Sequence, residues 1–410
     1  MARMQSSTYP MVTVDEAIEA VLARTPVLGA EEVALSDAVG RVLAETVIAS
    51  DDMPPFDAAS VDGYAVIAAD GFIPRRVSLE ITAGRGDRIT VEPGAATRIM
   101  TGAPMPVGAD AVVMVEQTSE SEGVVRLDHV PGTGENVHRR AQDVFVGQTV
   151  LVPGALLGPA EIGLLATVGR ARARVYRRPV VAVLSTGDEL VEPDQPLRPG
   201  AIRDSNRYAL LASVREAGGE PISLGWARDD EAEQEARIRE GLGRADVVLT
   251  SGGVSVGSRD LIKPILKRIG TIHFGRVQFK PGKPTTFATV DDRLVFGLPG
   301  FPVSSLVSFE VFVRPALRKL QGYRQIQRPV VQVGVETPLR PSEDRLEFQR
   351  AIASWQDGRL VARSTGAQRS SRLLSMAGTN VLLRIPPGTE VIPAGALVDA
   401  LLVGEILTAK

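Results

Sequence analysis

Residues 180–190 read VVAVLSTGDEL, and residues 246–253 read DVVLTSGG. Each opens as a continuous apolar, β-branched run and ends in small polar residues, Gly and carboxylates. A strand that is apolar on both sides must be covered on both faces, which is the pattern of a parallel sheet. The segment after each run agrees. Beyond 190 the chain turns through EPDQPLRPG. It then enters NRYALLASVREAGG, a helical pattern capped by Asp204 or Ser205 and stopped at Gly218-Gly219. PISLGWARDD reads as the next strand and EAEQEARIREGLGRA as the next helix. Past DVVLTSGG comes the helix RDLIKPILKRIG, and LVFGLPG leads into the helix VSSLVSFEVFVRPALRKLQG. Alternating strands and helices give a Rossmann-like α/β domain with a parallel-rich sheet over residues 179–326.

The remainder is assigned outward from that domain. TVDEAIEAVLAR (13–24) reads as a helix with a Thr13/Glu16 capping box. Between about 47 and 175, short β-rich runs alternate with Gly, Pro and Asp turns, and short strands return after 327. The expected organisation is multidomain α/β plus β. A helical and extended linking domain spans 1–50 and 148–178. A β-rich inserted domain spans 51–147, the α/β domain 179–326 and a C-terminal β-barrel 327–410.

Composition narrows the chemistry. With 410 residues, 44% apolar and 23% charged, the chain is long enough for about two to four packed domains. A net charge of −3 leaves no basic footprint for nucleic acid. No apolar run approaches a membrane span and the N-terminus lacks a signal-peptide pattern, so a cytoplasmic protein is expected. Without cysteine there is no disulfide, thiolate nucleophile or Cys-ligated metal, and the three histidines are isolated. Any metal would have oxygen ligands, which favours Mg²⁺. Lysine is rare. Only six of the 46 basic residues are Lys, and four of them (Lys263, Lys267, Lys280, Lys283) lie between 263 and 283. The first two suit a solvated helix face; Lys280 and Lys283 sit in KPGKP, which is no helix.

Ligands of open α/β sheets bind at the carboxyl ends of the strands, so the loops there carry the functional argument. Four stand out: Thr186-Gly-Asp-Glu189, Thr250 to Gly257, Lys280-Pro-Gly-Lys-Pro284 and Leu298-Pro-Gly-Phe-Pro302. Any one could be a plain turn. Together they bring carboxylates for a cation, and N–H groups and ammonium groups for anions, which equips a nucleotide or phosphate-ester site with Mg²⁺. Pro284 after Gly-Lys excludes a Walker A loop. Gly253-Val-Ser255-Val-Gly257 also matches the G-x-S-x-G elbow of serine hydrolases. That reading needs a distant histidine, and the only one after Ser255 is His273, eighteen residues on. An anion cradle is the better account.

PPFDAASVDGYA (54–65), RIMTGAPMPVGADAVVMVE (98–116), the segment around Gln142-Asp143, LSTGDEL, IRDSN, SGGVSVGSRD, FKPGKP and GLPGFPVS succeed one another along nearly the whole chain. In this order they resemble the molybdopterin molybdenumtransferases of the MoeA type, related to the C-terminal domain of gephyrin. The resemblance implies an elongated homodimer of four-domain subunits, with a site between the α/β domain and the partner's β-rich domain. It implies an enzyme that takes adenylylated molybdopterin and molybdate, uses Mg²⁺, and releases AMP and molybdenum cofactor. A pathway adenylyltransferase and molybdoenzymes are implied partners.

Carried over by motif, the catalytic set is Asp62, Thr101, Asp143, Glu189, Asp229 or Asp230, and Asp260, with Glu189 and Asp260 on the metal. Gly252, Gly253, Ser255, Gly257, Lys280, Gly282 and Lys283 would hold phosphate or molybdate. Pro299, Gly300 and Pro302 match the LPG-x-P loop, and Arg350 and Ser370 match positions in the fourth domain that face the cleft. This sequence departs from the family's pattern at Phe301, usually Asn, at Ser258, usually acidic, and at Arg369, usually Gly. Phe301 removes an amide that could bond an oxyanion. The alternatives are a tungstate-inserting paralogue, a dimeric scaffold of the same fold, and the serine hydrolase.

Overall fold

The computed structural model describes residues 9–84, 89–254 and 261–408, and it divides into two compact units. One comprises 1–31, 40–42 and 176–410, the other 32–39 and 43–175.

In the first unit, Val180–Thr186 and Val247–Ser251 are buried almost end to end, as the apolar runs predict. The six-stranded sheet has the spatial order Glu220–Ala227, Val180–Thr186, Val247–Ser251, Arg293–Leu298, Thr286–Val290, Thr271–Phe274. The first four strands are parallel; Thr286–Val290 runs antiparallel to them, and Thr271–Phe274 pairs antiparallel with Thr286–Val290. Side chains leave a strand alternately to either face. Accordingly Val181, Val183, Val247, Leu249 and Phe296 enter one core with Leu210 and Val307. Ala182, Leu184, Val248 and Val295 enter another with Ile238, Ile262 and Leu266. Helices Ser205–Glu216 and Pro302–Ser308 therefore cover one face, and Glu231–Arg244 and Ile262–Ile269 the other.

Asp204 and the Thr13/Glu16 box cap as the sequence suggests, whereas Asp230, expected among the candidate catalytic carboxylates, is also a cap. Asp204 accepts from the Arg207 N–H and Asp230 from the Glu233 N–H. Thr13 and Glu16 complete a capping box on Val14–Ala23. One helix differs from expectation. The run from Pro302 to Leu320 contains a π-helical turn at Phe309–Val313. Pro315 has no N–H to give the preceding turn and its ring crowds that carbonyl, so a wider turn accommodates it.

Val180–Thr186 has the later strand Glu220–Ala227 on one side and Val247–Ser251 on the other. The chain thus reverses its direction of travel across the sheet here, and the loops leaving Thr186 and Ser251 diverge to opposite faces. That is the switch point at which such sheets open a crevice.

Beyond the sheet, Leu346–Gln356 pairs with both Arg359–Ser364 and Val381–Ile385. Val330–Val335 and Leu397–Leu402 complete a closed five-stranded barrel. Its interior holds Val333, Ala351, Ala353, Val381, Leu383 and Ala400. Phe279–Lys280 adds to the barrel edge in register with Leu346 and Glu347. Phe348 and Leu382 turn outward into the core that contains Phe279 and Phe312.

The second unit contains a six-stranded sheet in the order Ala111–Met114, Gly63–Val66, Ala95–Ile99, Arg75–Ile81, Val124–Leu127, Thr118–Ser121. Tyr64 and Val66 face one cluster and Ala65 the other. No helix among the described residues is long and apolar enough to cross a membrane.

Candidate active site at the strand ends

A cavity of about 720 Å³ opens at the switch point. Thr186, Gly187 and Glu189 line it from the first loop, Ser251, Gly252 and Gly253 from the second, and Pro299, Gly300 and Pro302 from the third. Asp229, Pro284 and Ser371 complete this side.

Close backbone approach explains the glycines. Gly252 has φ +97°, and a Cβ there would lie 2.7 Å from the Thr186 carbonyl oxygen and 2.8 Å from its Oγ1. Gly253 (φ +64°) would meet Ile262 at 3.0 Å. At Gly187 (φ +145°) a Cβ would occupy the space of the Glu189 carboxylate, which folds back over that glycine. Side chains lock the loops together. Asn206 Nδ2 donates to Ser251 Oγ at 2.8 Å and to the Gly300 carbonyl at 2.7 Å. Asp204, fully buried, accepts from Ser185 Oγ, the Arg207 N–H and Arg207 Nε. Its lone pairs serve the scaffold, which makes it a cap rather than a ligand.

The expected site residues separate into groups. Glu189, Asp229, Gly252, Gly253, Pro299, Gly300 and Pro302 converge on the cavity. Asp230 does not join them, because its carboxylate caps Glu231–Arg244 at 2.8 Å from the Glu233 N–H. In the KPGKP turn it is Pro284 that lines the cavity. Gly282 (φ +129°) passes so close to Phe279 and Ser308 that no side chain fits. Lys280 Nζ lies 3.1 Å from Glu347 Oε1, a carboxylate only 4% exposed on the barrel strand.

Arg350, three residues along that strand, is buried. It donates to Ser375 Oγ and to the Arg369 carbonyl, both at 3.2 Å. Burial pushes its guanidinium down to about 10, with Glu347 opposing and Arg372 adding to the effect. The Ser370 carbonyl accepts the Val303 N–H at 3.1 Å and so ties the barrel loop to a helix start beside the cavity.

In the second unit, Asp62 Oδ1 accepts both the Thr101 N–H and the Thr101 hydroxyl at 2.7 Å. The Thr101 N–H, then its hydroxyl, hold the Asp62 carboxyl below its ordinary value. Asp143 is exposed, with its N–H bonded to the Met53 carbonyl. Ser255, Gly257 and Asp260 lie outside the described residues. His273, needed by the hydrolase reading, bonds Thr289 Oγ1 at 2.9 Å.

Among the described residues no three His, Asp or Glu side chains converge on one point. A Mg²⁺ of the usual nucleotide-site form needs only one or two protein carboxylates, its remaining ligands coming from substrate oxygens and water. Glu189 and Asp229 are the described carboxylates in position to serve. Sequence reasoning assigned no role to Asn206, although IRDSN contains it, and none to Ser251 or Glu347. Each of the three acts through a partner distant in the chain.

Three family models match. They are the MoeA N-terminal region (domain I and II) over residues 12–169, a probable molybdopterin binding domain over 182–319, and the MoeA C-terminal region (domain IV) over 332–403. The molybdopterin molybdenumtransferase of Haemophilus influenzae is 36% identical over 95% of this chain and 98% of its own length. The chain belongs to the MoeA family. The molybdopterin molybdenumtransferase of Nostoc is 38% identical over 94% of this chain and 92% of its own. Gephyrin of Dictyostelium discoideum is 34% identical over 98% of this chain, which spans 64% of that protein. The solved MoeA protein of Pyrococcus horikoshii superposes with a TM-score of 0.84 at 31% identity, over 97% of this chain and 100% of the other. As a MoeA protein the chain is a transferase of the molybdopterin class.

Proposed function

We propose that the chain inserts molybdenum into adenylylated molybdopterin, cleaving the bond to the adenylate and releasing AMP and molybdenum cofactor. The observation that carries this reading is the convergence of three strand-end loops on one cavity at the sheet's switch point. There, carboxylates and closely approached glycine backbone face the same space.

Glu189 and Asp260, the latter outside the described residues, would hold Mg²⁺, with Asp229 a further carboxylate lining the cavity. When bound, the cation neutralises phosphate charge and polarises the bond to be cleaved. The glycine backbone at 252–253, Ser255 and Gly257 cradle phosphate. Lys280 and Lys283 supply compact positive charge to the oxyanions. Arg350, buried behind the cavity, holds the loop that carries Ser370 through its bond to the Arg369 carbonyl. Its guanidinium stays charged well above neutral pH even though it is buried. Pro299, Gly300 and Pro302 form a rigid wall, because proline fixes φ on both sides of the turn. The enzyme acts in the cytoplasm as a symmetric homodimer, in which Asp62, Thr101 and Asp143 of one subunit serve the cavity of the other. The ionised Asp62 positions the incoming molybdate or its water. The adenylylating enzyme supplies the substrate, and apo-molybdoenzymes consume the product.

The test is reconstitution. Purified protein with adenylylated molybdopterin, Mg²⁺ and molybdate should activate an apo-molybdoenzyme. Failure with both molybdate and tungstate would sink the reading.

A further inference from the structure

Phe301 breaks two local rules at once. It is 60% exposed although it is a large apolar ring. It is also the N-cap of Pro302–Ser308, where it makes no side-chain bond to the helix and where Ser, Thr, Asp or Asn is preferred. Violations that cost stability without a packing return concentrate at functional positions. Among the described residues no aromatic ring stacks on Phe301 and no guanidinium covers it. The capping duty has moved elsewhere, since the Val303 N–H bonds the Ser370 carbonyl at 3.1 Å.

The ring's base is held firmly. Gly300, before it, gives its carbonyl to Asn206 Nδ2 at 2.7 Å, and Pro299 and Pro302 flank the pair. Phe301 lines the cavity together with Leu190, Ile202 and Asn206. A rigidly mounted aromatic face beside apolar side chains and a polar edge matches a flat, nitrogen-rich ring system. Such rings stack on aromatic side chains whatever their edge pattern.

We propose that Phe301 is the stacking platform for a planar heterocycle of the substrate, the adenine or the pterin. The proposal rests on the functional reading above and adds a specificity-determining residue to it.

Calorimetric titration of the full-length protein tests it with three probes: AMP, 6-hydroxymethylpterin, and ribose 5-phosphate, which carries no ring. Phe301→Leu keeps an apolar side chain but removes the flat face. Phe301→Asn restores a capping side chain, and Phe301→Tyr keeps the plane. Leu and Asn should weaken one ring probe by about tenfold and leave ribose 5-phosphate within about twofold, while Tyr binds like wild type. Whichever probe is lost identifies the ring. Thermal unfolding should show both weakened variants folded, with Phe301→Asn unfolding no lower than wild type. The platform is overturned if Leu and Asn bind both rings unchanged, if ribose 5-phosphate falls in parallel, or if wild type binds neither ring. AMP release from adenylylated molybdopterin is read on the same wild-type preparation. Its absence contradicts the reaction; its presence with unaltered ring binding in Phe301→Leu contradicts the platform alone.

Discussion

Asp62 keeps its charge to lower pH than an ordinary carboxyl because Thr101 aims two donors at one carboxylate oxygen, each at 2.7 Å. Hydrogen bonds to the charged form lower a carboxyl pKa, and here the Thr101 N–H contributes most and the hydroxyl next. If Asp62 acts ionised, the sign is determined. Thr101→Val deletes the hydroxyl donor and keeps the N–H, so the Asp62 pKa rises toward the ordinary carboxyl range. The acid limb of the kcat/KM profile then moves to higher pH, with activity at pH 8 nearly retained. An unmoved acid limb would remove Asp62 from the titrating set. Asn206 and Glu347 show why single residues were the least legible level of the sequence. One joins two loops 45 and 94 residues away, and the other meets Lys280 through a strand pairing. No local pattern encodes such partners. DGYA and IMTGAP could be seen as a motif, but the Asp62–Thr101 contact between them could not.

Elements were the most legible level, because their signals are local. Continuous apolar runs became the parallel strands, and Asp204 became a cap. The C-terminal barrel followed from its short strands, but its strand order, set by long-range register, and the π-turn ahead of Pro315, a compromise within a helix, were not readable. The start of Val180–Thr186 is fixed by Asp246. This residue accepts from Arg177 at 2.7 and 2.6 Å, from the Val180 N–H at 2.9 Å and from Arg293 at 3.0 Å. Burial pushes its carboxyl up. Hydrogen bonds from Arg177 and Val180 and the charges of Arg177 and Arg293 outweigh that and hold it below its ordinary value. A depressed carboxyl pKa contributes stability above the unfolded value of about 3.9, which is lost as pH falls through the folded value. Asp246→Asn should therefore cost about 2–4 kcal/mol at pH 7 and lose less than wild type on acidification below about pH 4. Urea unfolding across pH measures both; equal acid sensitivity in the two proteins would contradict the assignment.

At the scale of the molecule, the barrel and the α/β sheet share a core through Phe279, Phe312, Phe348 and Leu382. The Lys280–Glu347 pair lies along the same edge. The homodimer is a further proposal with its own arithmetic. If Asp62 serves the partner's cavity, Asp62→Asn and Glu189→Gln disable complementary halves of the site. Co-expressed, the two inactive chains should regain about a quarter of the wild-type rate, because half of the dimers are mixed and each mixed dimer carries one intact site. No recovery would place both residues in the same subunit's site.

The central claim is that the strand-end cavity couples oxyanion insertion to loss of the adenylate. It is tested most directly by measuring AMP in a single turnover of purified protein with adenylylated molybdopterin and Mg²⁺, with and without molybdate. The account predicts AMP in amounts matching the cavities, released only when molybdate is present and abolished by Glu189→Gln. AMP released equally without an oxyanion, or unaffected by Glu189→Gln, would contradict it.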